Sequence, residues 1–225
     1  PGQGALTAAL LSRIDSLDAI ELDRDLVQPL IDQFGQAYNL RIHQADALKF
    51  DFRRLRTDEQ LLRLVGNLPY NISTPLLFHL IDQAEAIQDM HFMLQKEVVD
   101  RMAAGPGSKT YGRLSVMLQI SCEVTPLFDI SPEAFYPPPK VQSTVVRLVP
   151  LTTPLVPADS MPSFAALVTA AFNQRRKTLR NNLKHLIDDT EIAAAGIDPA
   201  ARSETLSPQQ FVALYQHHAS KLSAG

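Results

Sequence analysis

With 225 residues, 45% of them apolar and 20% charged, the chain can bury a real core in one or two domains. A net charge of −3 excludes a globally basic nucleic-acid binder, so any such partner must meet a local patch. The single cysteine, Cys122 in an apolar run, rules out an internal disulfide and fits a cytosolic protein; no membrane-length apolar stretch, secretory signal or zinc-ligand spacing is visible.

Pro1-Gly2-Gln3-Gly4 runs directly into a helix former, Ala5 to Leu11. Glycines just before a helix allow close backbone approach, and a helix N-terminus favours an electron-rich ligand. A short strand, Ala19 to Leu22, ends at the acids Glu21 and Asp23, and a helix is predicted over Asp25 to Gly35. Leu40 to Ala45 alternates like a strand and ends at Asp46. A Gly-rich turn and helix followed by two strands that each end in an acid signals a nucleoside site, with the first acid taking ribose hydroxyls. Thr7 stands where the dinucleotide fingerprint needs its third glycine, so that fingerprint does not fit. Taken singly, these features read as a plain loop and two solvated strand ends. Their succession carries the nucleoside reading.

An apolar run, Leu61 to Gly66, reads as a buried strand that delivers Asn67-Leu68-Pro69-Tyr70. An adenine's exocyclic amine is a poor nucleophile because its lone pair is delocalised into the ring. Two acceptors aimed at its two hydrogens favour a pyramidal nitrogen whose lone pair points at an electrophile. The Asn67 side-chain oxygen is one such acceptor and the Leu68 carbonyl the other. Pro69 fixes its own φ and biases Leu68 towards extended backbone, which holds that carbonyl in place. Tyr70 offers a flat face for a base taken out of its stack. This is preorganised orientation and needs no titrating base. The plainer reading is a Pro-containing turn with Asn67 bonding its own backbone.

Ser73-Thr74-Pro75 is expected to cap a helix running to about Gln83. Asp89 to Gln95 reads as a buried strand, Lys96 to Met102 and Gly112 to Glu123 as helices, and Gly105 to Lys109 as a mobile loop with one cation. Phe128 to Ser131 and Val141 to Leu148 read as the last strands. Between them Phe135-Tyr136-Pro137-Pro138-Pro139-Lys140 forms a stiff polyproline-like wall, or simply a Pro-rich hairpin connector. The stretch 152–162, with three prolines, reads as a linker, and a second unit begins at Ser163. Phe164, Leu167, Val168, Ala171, Phe172, Leu179 and Leu186 recur at helical spacing. On that helix lie Arg175, Arg176, Lys177, Arg180 and Lys184, with no acid before Asp188; such a run meets phosphate more readily than it forms a plain solvated face. Pro199 and Pro208 mark helix starts, and the chain is expected to end as small helices.

In this order the motifs closely resemble those of the KsgA-type dimethyltransferases, over nearly the whole chain. The resemblance rests on residues 1–7, Glu21-Leu22-Asp23, Asp46-Ala47-Leu48, Asn67 to Tyr70, Gln95 to Val98, Tyr111 to Ser115, Phe135 to Val141 with Ser143, and Phe172 to Lys177. It implies methylation, by in-line displacement from S-adenosylmethionine, of two adjacent adenosines near the 3′ end of small-subunit ribosomal RNA. The fold implied is α/β: a mostly parallel Rossmann-like sheet with helices on both faces, then a small all-α domain. The domains would be 1–151 for methyl transfer and 163–225 for RNA binding. Gly2 and Gly4 would face the methionine moiety of the cofactor, Glu21 with Leu22 its ribose, and Asp46 with Ala47 its adenine, with Asn67 completing that pocket. Asn67, Leu68, Pro69 and Tyr70 would hold the target base and Phe135 would close over it. Lys96, Arg113, Lys140, Arg175, Arg176, Lys177 and Arg180 would contact RNA in a pre-assembled subunit, the enzyme acting as a cytoplasmic monomer. An Erm-like enzyme of large-subunit RNA and a non-catalytic assembly factor are the alternatives. The family's strand, acid and further glycine before this loop would lie upstream of Pro1. The working protein is therefore expected to be longer by a few tens of residues, with that strand between those ending at Glu21 and Asn67.

Overall fold

The computed structural model describes residues 1–37, 39–57 and 60–224, with side chains through Lys221. The backbone divides into two compact units, Pro1–Leu94 and Gln95–Gly225.

The first unit runs α1 (Ala5–Leu11), β1 (Leu17–Glu21), α2 (Arg24–Phe34), β2 (Leu40–Gln44), β3 (Leu62–Asn67), α3 (Ser73–Ile81) and β4 (Ile87–Gln95), whose last residue opens the second unit. Its strands form two parallel pairs, β1 with β2 and β3 with β4, each strand returning through a helical crossover as parallel pairing requires. Asp23 caps α2, its carboxylate accepting the Asp25 N–H at 2.9 Å. The buried centre is α3 against β4: Leu76, Leu77, Leu80, Met90, Phe92 and Leu94 are all withdrawn from water. β3 is less buried than the apolar run suggests. Its residues alternate, with Arg63, Val65 and Asn67 turned to the exposed face, because successive strand side chains point to opposite sides. Ser73 does not cap α3 as expected; its hydroxyl donates to the Tyr70 carbonyl at 3.1 Å, and Ile72 holds the cap position without a side-chain bond.

The second unit contains α4 (Lys96–Met102), α5 (Arg113–Gln119), β5 (Cys122–Ile130), β6 (Ser143–Pro150), α6 (Met161–Ala171), α7 (Leu179–Leu183), α8 (Asp189–Ala194) and α9 (Pro208–Ala224). The expected helix through Glu123 stops at Gln119, because Cys122 already enters a ladder that pairs β5 antiparallel with β6 from Cys122↔Pro150 to Ile130↔Ser143. The Pro-rich segment is thus the loop of a hairpin, as the plainer reading had it. The tail is one helix of 17 residues rather than several small ones. The expected basic helix is also interrupted. α6 ends at Ala171 and α7 begins at Leu179, so Arg175, Arg176 and Lys177 lie in the connection. Asn182 caps the break by donating to the Ala171 carbonyl at 2.7 Å and the Gln174 carbonyl at 3.1 Å.

The proline-bearing stretch 152–162 is tied to its own unit. Leu151 and Leu155 donate to the Ser121 and Ile120 carbonyls, and Val156 is buried. Tyr111, fully buried, donates to the Leu206 carbonyl at 2.7 Å and packs edge-on against Phe172. Loss of solvent drives its hydroxyl pKa upward, and burial likewise pushes the Cys122 thiol up to about 12, an inert structural thiol.

Candidate active site and nucleic-acid interface

Three strand ends of the first unit carry the expected residues. β1 and β2 run parallel in register to Glu21↔Gln44, and the Ala45 N–H bonds the Glu21 carbonyl at 3.0 Å, so Glu21 and Asp46 emerge at the same carboxyl edge. That edge is where open α/β sheets take ligands.

The Glu21 carboxylate accepts two backbone N–H groups, from Gly2 at 3.1 Å and from Asp23 at 3.0 Å. Burial alone would raise its pKa, but these bonds, together with the Pro1 ammonium 3.6 Å away, outweigh it and hold the group below its ordinary value. A carboxylate offers about four acceptor directions, so two remain for the hydroxyls of a sugar. The glycine loop is held by Glu21 at Gly2 and closed by the Gly4 N–H to the Pro1 carbonyl at 3.0 Å. Its two glycines serve differently. Gly4 has φ +83°, and a Cβ there would sit 2.5 Å from the Phe34 ring of α2, so the turn lies directly on that helix. Gly2 has φ +57°, and a Cβ there would meet nothing within 4 Å. Gly2 therefore fronts open space. Asp46 uses one oxygen on the Leu48 N–H at 3.0 Å and, with Ala45, Lys49, Phe50, Asp51 and Arg54, lines a depression of about 280 Å³.

At the end of β3, the Leu68 N–H bonds the Met93 carbonyl at 3.3 Å, and the Ile72 N–H bonds the Pro69 carbonyl at 3.2 Å. Leu68 is thereby pinned, and its side chain is buried. No hydrogen bond reaches the Asn67 side chain or the Leu68 carbonyl among the described residues. The plainer reading, in which Asn67 bonds its own backbone, does not hold. Tyr70 stands 48% exposed beside these two acceptors in the chain.

In the second unit, Phe135 is half-buried in the 131–142 hairpin loop, next to a fully exposed Tyr136. Lys96 grips the same hairpin. Its N–H bonds the Gln142 carbonyl at 2.9 Å, and its ammonium lies 3.2 Å from Asp129 and 3.3 Å from Asp100. Asp129 also accepts the Thr144 hydroxyl at 2.6 Å. The Asp129 and Asp100 carboxylates raise the Lys96 pKa above its ordinary value, so this cation is already neutralised within the chain. Arg175 is committed too, to Glu204 at 2.7 Å, and Arg180 lies 3.4 Å from Asp189. Arg113, Lys140, Arg176 and Lys177 are exposed, with no acid partner among the described residues. Asp129, Thr144 and Glu204 carry no local sequence signal, since their partners lie 15 to 33 positions away.

The family model of ribosomal RNA adenine dimethylase matches residues 1–220. The chain belongs to the ribosomal RNA adenine dimethylase family. Proteins named ribosomal RNA small subunit methyltransferase A resemble it strongly. The Methylococcus capsulatus relative is 58% identical over 95% of this chain and 82% of its own length; that of Pseudomonas savastanoi is 56% identical over 95% and 80%. Among solved structures, a dimethyladenosine transferase from Plasmodium falciparum has a TM-score of 0.79 at 24% identity, covering 97% of this chain and 87% of its own. The 23S rRNA methyltransferase ErmE follows at 0.71 and 22%, covering 97% and 88%. Both share the fold of this dimethylase, the Rossmann-like α/β methyltransferase sheet with C-terminal helices expected from the sequence. The strong sequence likeness to small-subunit enzymes separates it from the Erm-like alternative.

Proposed function

We propose that this dimethylase methylates the N6 amines of two adjacent adenosines near the 3′ end of small-subunit ribosomal RNA, during ribosome assembly. The reading is supported above all by the pair of unbonded acceptors, the Asn67 side chain and the Leu68 carbonyl, at a strand end where Leu68 is pinned by its N–H to the Met93 carbonyl. Asn67 and Leu68 each take one amine hydrogen of the target adenine, which turns the nitrogen lone pair away from the ring. Pro69 restrains the backbone that carries the Leu68 carbonyl, Tyr70 stacks on the base, and Phe135 closes over it. Orientation of this kind lowers the barrier without a proton acceptor of shifted pKa.

S-adenosylmethionine, when bound, supplies the electrophilic methyl group. Gly2 and Gly4 would receive its methionine part, Glu21 and Leu22 its ribose, and Asp46 and Ala47 its adenine, with Asn67 at the junction. The residues fit such a group: Gly2 faces open space and Glu21 has unused acceptor capacity. For RNA, the unpaired Arg113, Lys140, Arg176 and Lys177 would contact phosphate, with Lys96, Arg175 and Arg180 in the same segments. Residues 1–151 would form the catalytic domain and 163–225 the RNA-binding domain of a monomer that acts on pre-assembled 30S-type subunits in the cytoplasm. Among the described residues no helix is long and apolar enough to cross a membrane.

The deciding experiment incubates the protein with undermethylated small subunits and labelled S-adenosylmethionine. Label should appear as dimethyladenosine at two neighbouring positions near the RNA 3′ end. Label confined to large-subunit RNA, or binding without label, would refute the assignment.

A further inference from the structure

The basic connection between α6 and α7 does not stand alone. The Arg175 guanidinium sends Nε to Glu204 at 2.7 Å and Nη2 to the Lys109 carbonyl at 2.6 Å, with the Ser108 carbonyl at 3.5 Å. Glu204 closes the circuit, because its backbone carbonyl accepts the Gly107 N–H at 2.7 Å. The loop 105–109, expected to be mobile, is thus fastened at Gly107 and Lys109 to one acid and one arginine. Gly107 has φ +81°, a turn that glycine adopts without strain. Arginine suits this work because its rigid fork serves two acceptors at once.

These bonds separate two kinds of cation within one run. Arg175 has its charge matched by Glu204 and its Nη2 donors spent on neighbouring carbonyls. Lys109, Arg176 and Lys177 are exposed and have no acid partner among the described residues. Gln174, Arg175, Arg176 and Lys177 line a shallow depression of the surface. A bond to the Lys109 backbone brings this loop residue beside a run that lies 66 positions away in the chain.

We propose that loop 105–109 and the 174–177 connection form one composite surface for RNA phosphates, in which Lys109, Arg176 and Lys177 are the phosphate contacts and Arg175 is the strut that positions them. The proposal rests on the RNA-binding part of the function proposed above and narrows it: Lys109 is added to the interface and Arg175 is moved behind it. The physical basis is that a cation already paired and hydrogen-bonded inside the protein releases little when it meets phosphate, whereas an unpaired one releases counterions.

Binding of the full chain to undermethylated small subunits, measured across a range of salt concentrations, tests this. Lys109→Ala should lower the slope of log affinity against log salt by about 0.7 to 0.9, which is roughly five- to eightfold at 0.1 M salt. Glu204→Gln separates the two roles of Arg175 by sign. As a strut, Arg175 loses its charged anchor in this variant, the loop loosens, and binding weakens. As a direct phosphate contact, it would be released by the same change, and binding would tighten with a steeper slope. An unchanged slope for Lys109→Ala, or tighter binding by Glu204→Gln, overturns the proposal. Methyl transfer by the unaltered protein, assayed in parallel, reports on the underlying function alone. If the unaltered protein neither binds nor methylates the subunits, that reading falls and this one with it. Circular dichroism of both variants confirms that they are folded.

Discussion

Asn67 and Arg175 each sit in a segment whose residue types point to a ligand, and the fold treats their side chains in opposite ways. The Asn67 side chain projects from the end of β3 and the Leu68 carbonyl from a pinned residue, and neither receives a hydrogen bond among the described residues. Arg175, by contrast, has its Nε and Nη2 donors and its charge engaged inside the chain. Residue type alone does not mark a ligand-facing group. Capacity left free of internal bonds does, because a ligand can take it up without first breaking a bond within the chain, each worth about 0.5–1.5 kcal/mol. Glu21 stands between the two, with two acceptor positions occupied and two remaining.

The contrast is broken most directly at Asn67. Asn67→Ala removes one acceptor and leaves β3 and Pro69 in place, so methyl transfer should fall by on the order of a hundredfold or more, while RNA affinity stays unchanged. Turnover near that of the unaltered protein would show that the unused acceptor has no part in the chemistry. The next largest effect belongs to the unpaired cations. Replacing Arg176 and Lys177 together by Ala should weaken RNA binding by roughly 25- to 60-fold at 0.1 M salt and flatten the salt slope by nearly two units. A loss no greater than for Arg180→Ala, whose charge already meets Asp189, would erase the distinction between paired and unpaired cations.

Glu21 sharpens the middle case. Glu21→Gln should weaken S-adenosylmethionine binding by about tenfold, the value of one hydrogen bond to a charged group. Its pKa is lowered from 4.5 by the Asp23 and Gly2 N–H groups and the Pro1 ammonium, acting against burial. Its stabilising effect on the folded chain is therefore fully present above pH 4.5 and is lost as pH falls through the lowered value. Calorimetry should accordingly find cofactor affinity level above that point as far as Glu21 is concerned, with an acid limb that the Gln variant lacks. An acid limb of the same size in both proteins would assign the titration to another group.

Much of this was legible in the residues. Strand ends at Glu21, near Asp46 and at Asn67 follow from short apolar runs closed by polar residues, and the parallel pairing of β1 with β2 places Glu21 and Asp46 at one edge. The glycine turn was legible as close backbone approach, but not that Gly4 touches Phe34 while Gly2 faces open space, since both look alike in sequence. The basic segment was misread as helix because its apolar spacing continues from Phe164 through Leu179 across a break. That break exists because Asn182, 11 positions on, satisfies the end of α6, a bond with no periodic signature. Lys96 and Arg175 were expected to face RNA; Asp100, four positions after Lys96, was a legible helix pair, but Asp129 and Glu204 lie 33 and 29 positions from their partners, beyond any local pattern.

The buried bond from the Tyr111 hydroxyl to the Leu206 carbonyl joins positions 95 residues apart. During synthesis at about 5–20 residues per second, the ribosome needs roughly 5–20 s to make the second partner after the first. For that interval the Tyr111 hydroxyl has no native acceptor, and the Phe172 ring it packs against arrives only part-way through. The second unit therefore completes its core late, as its last helix emerges. A nascent chain stalled before Leu206 should be open to proteases around α5, and one extended past α9 should resist them.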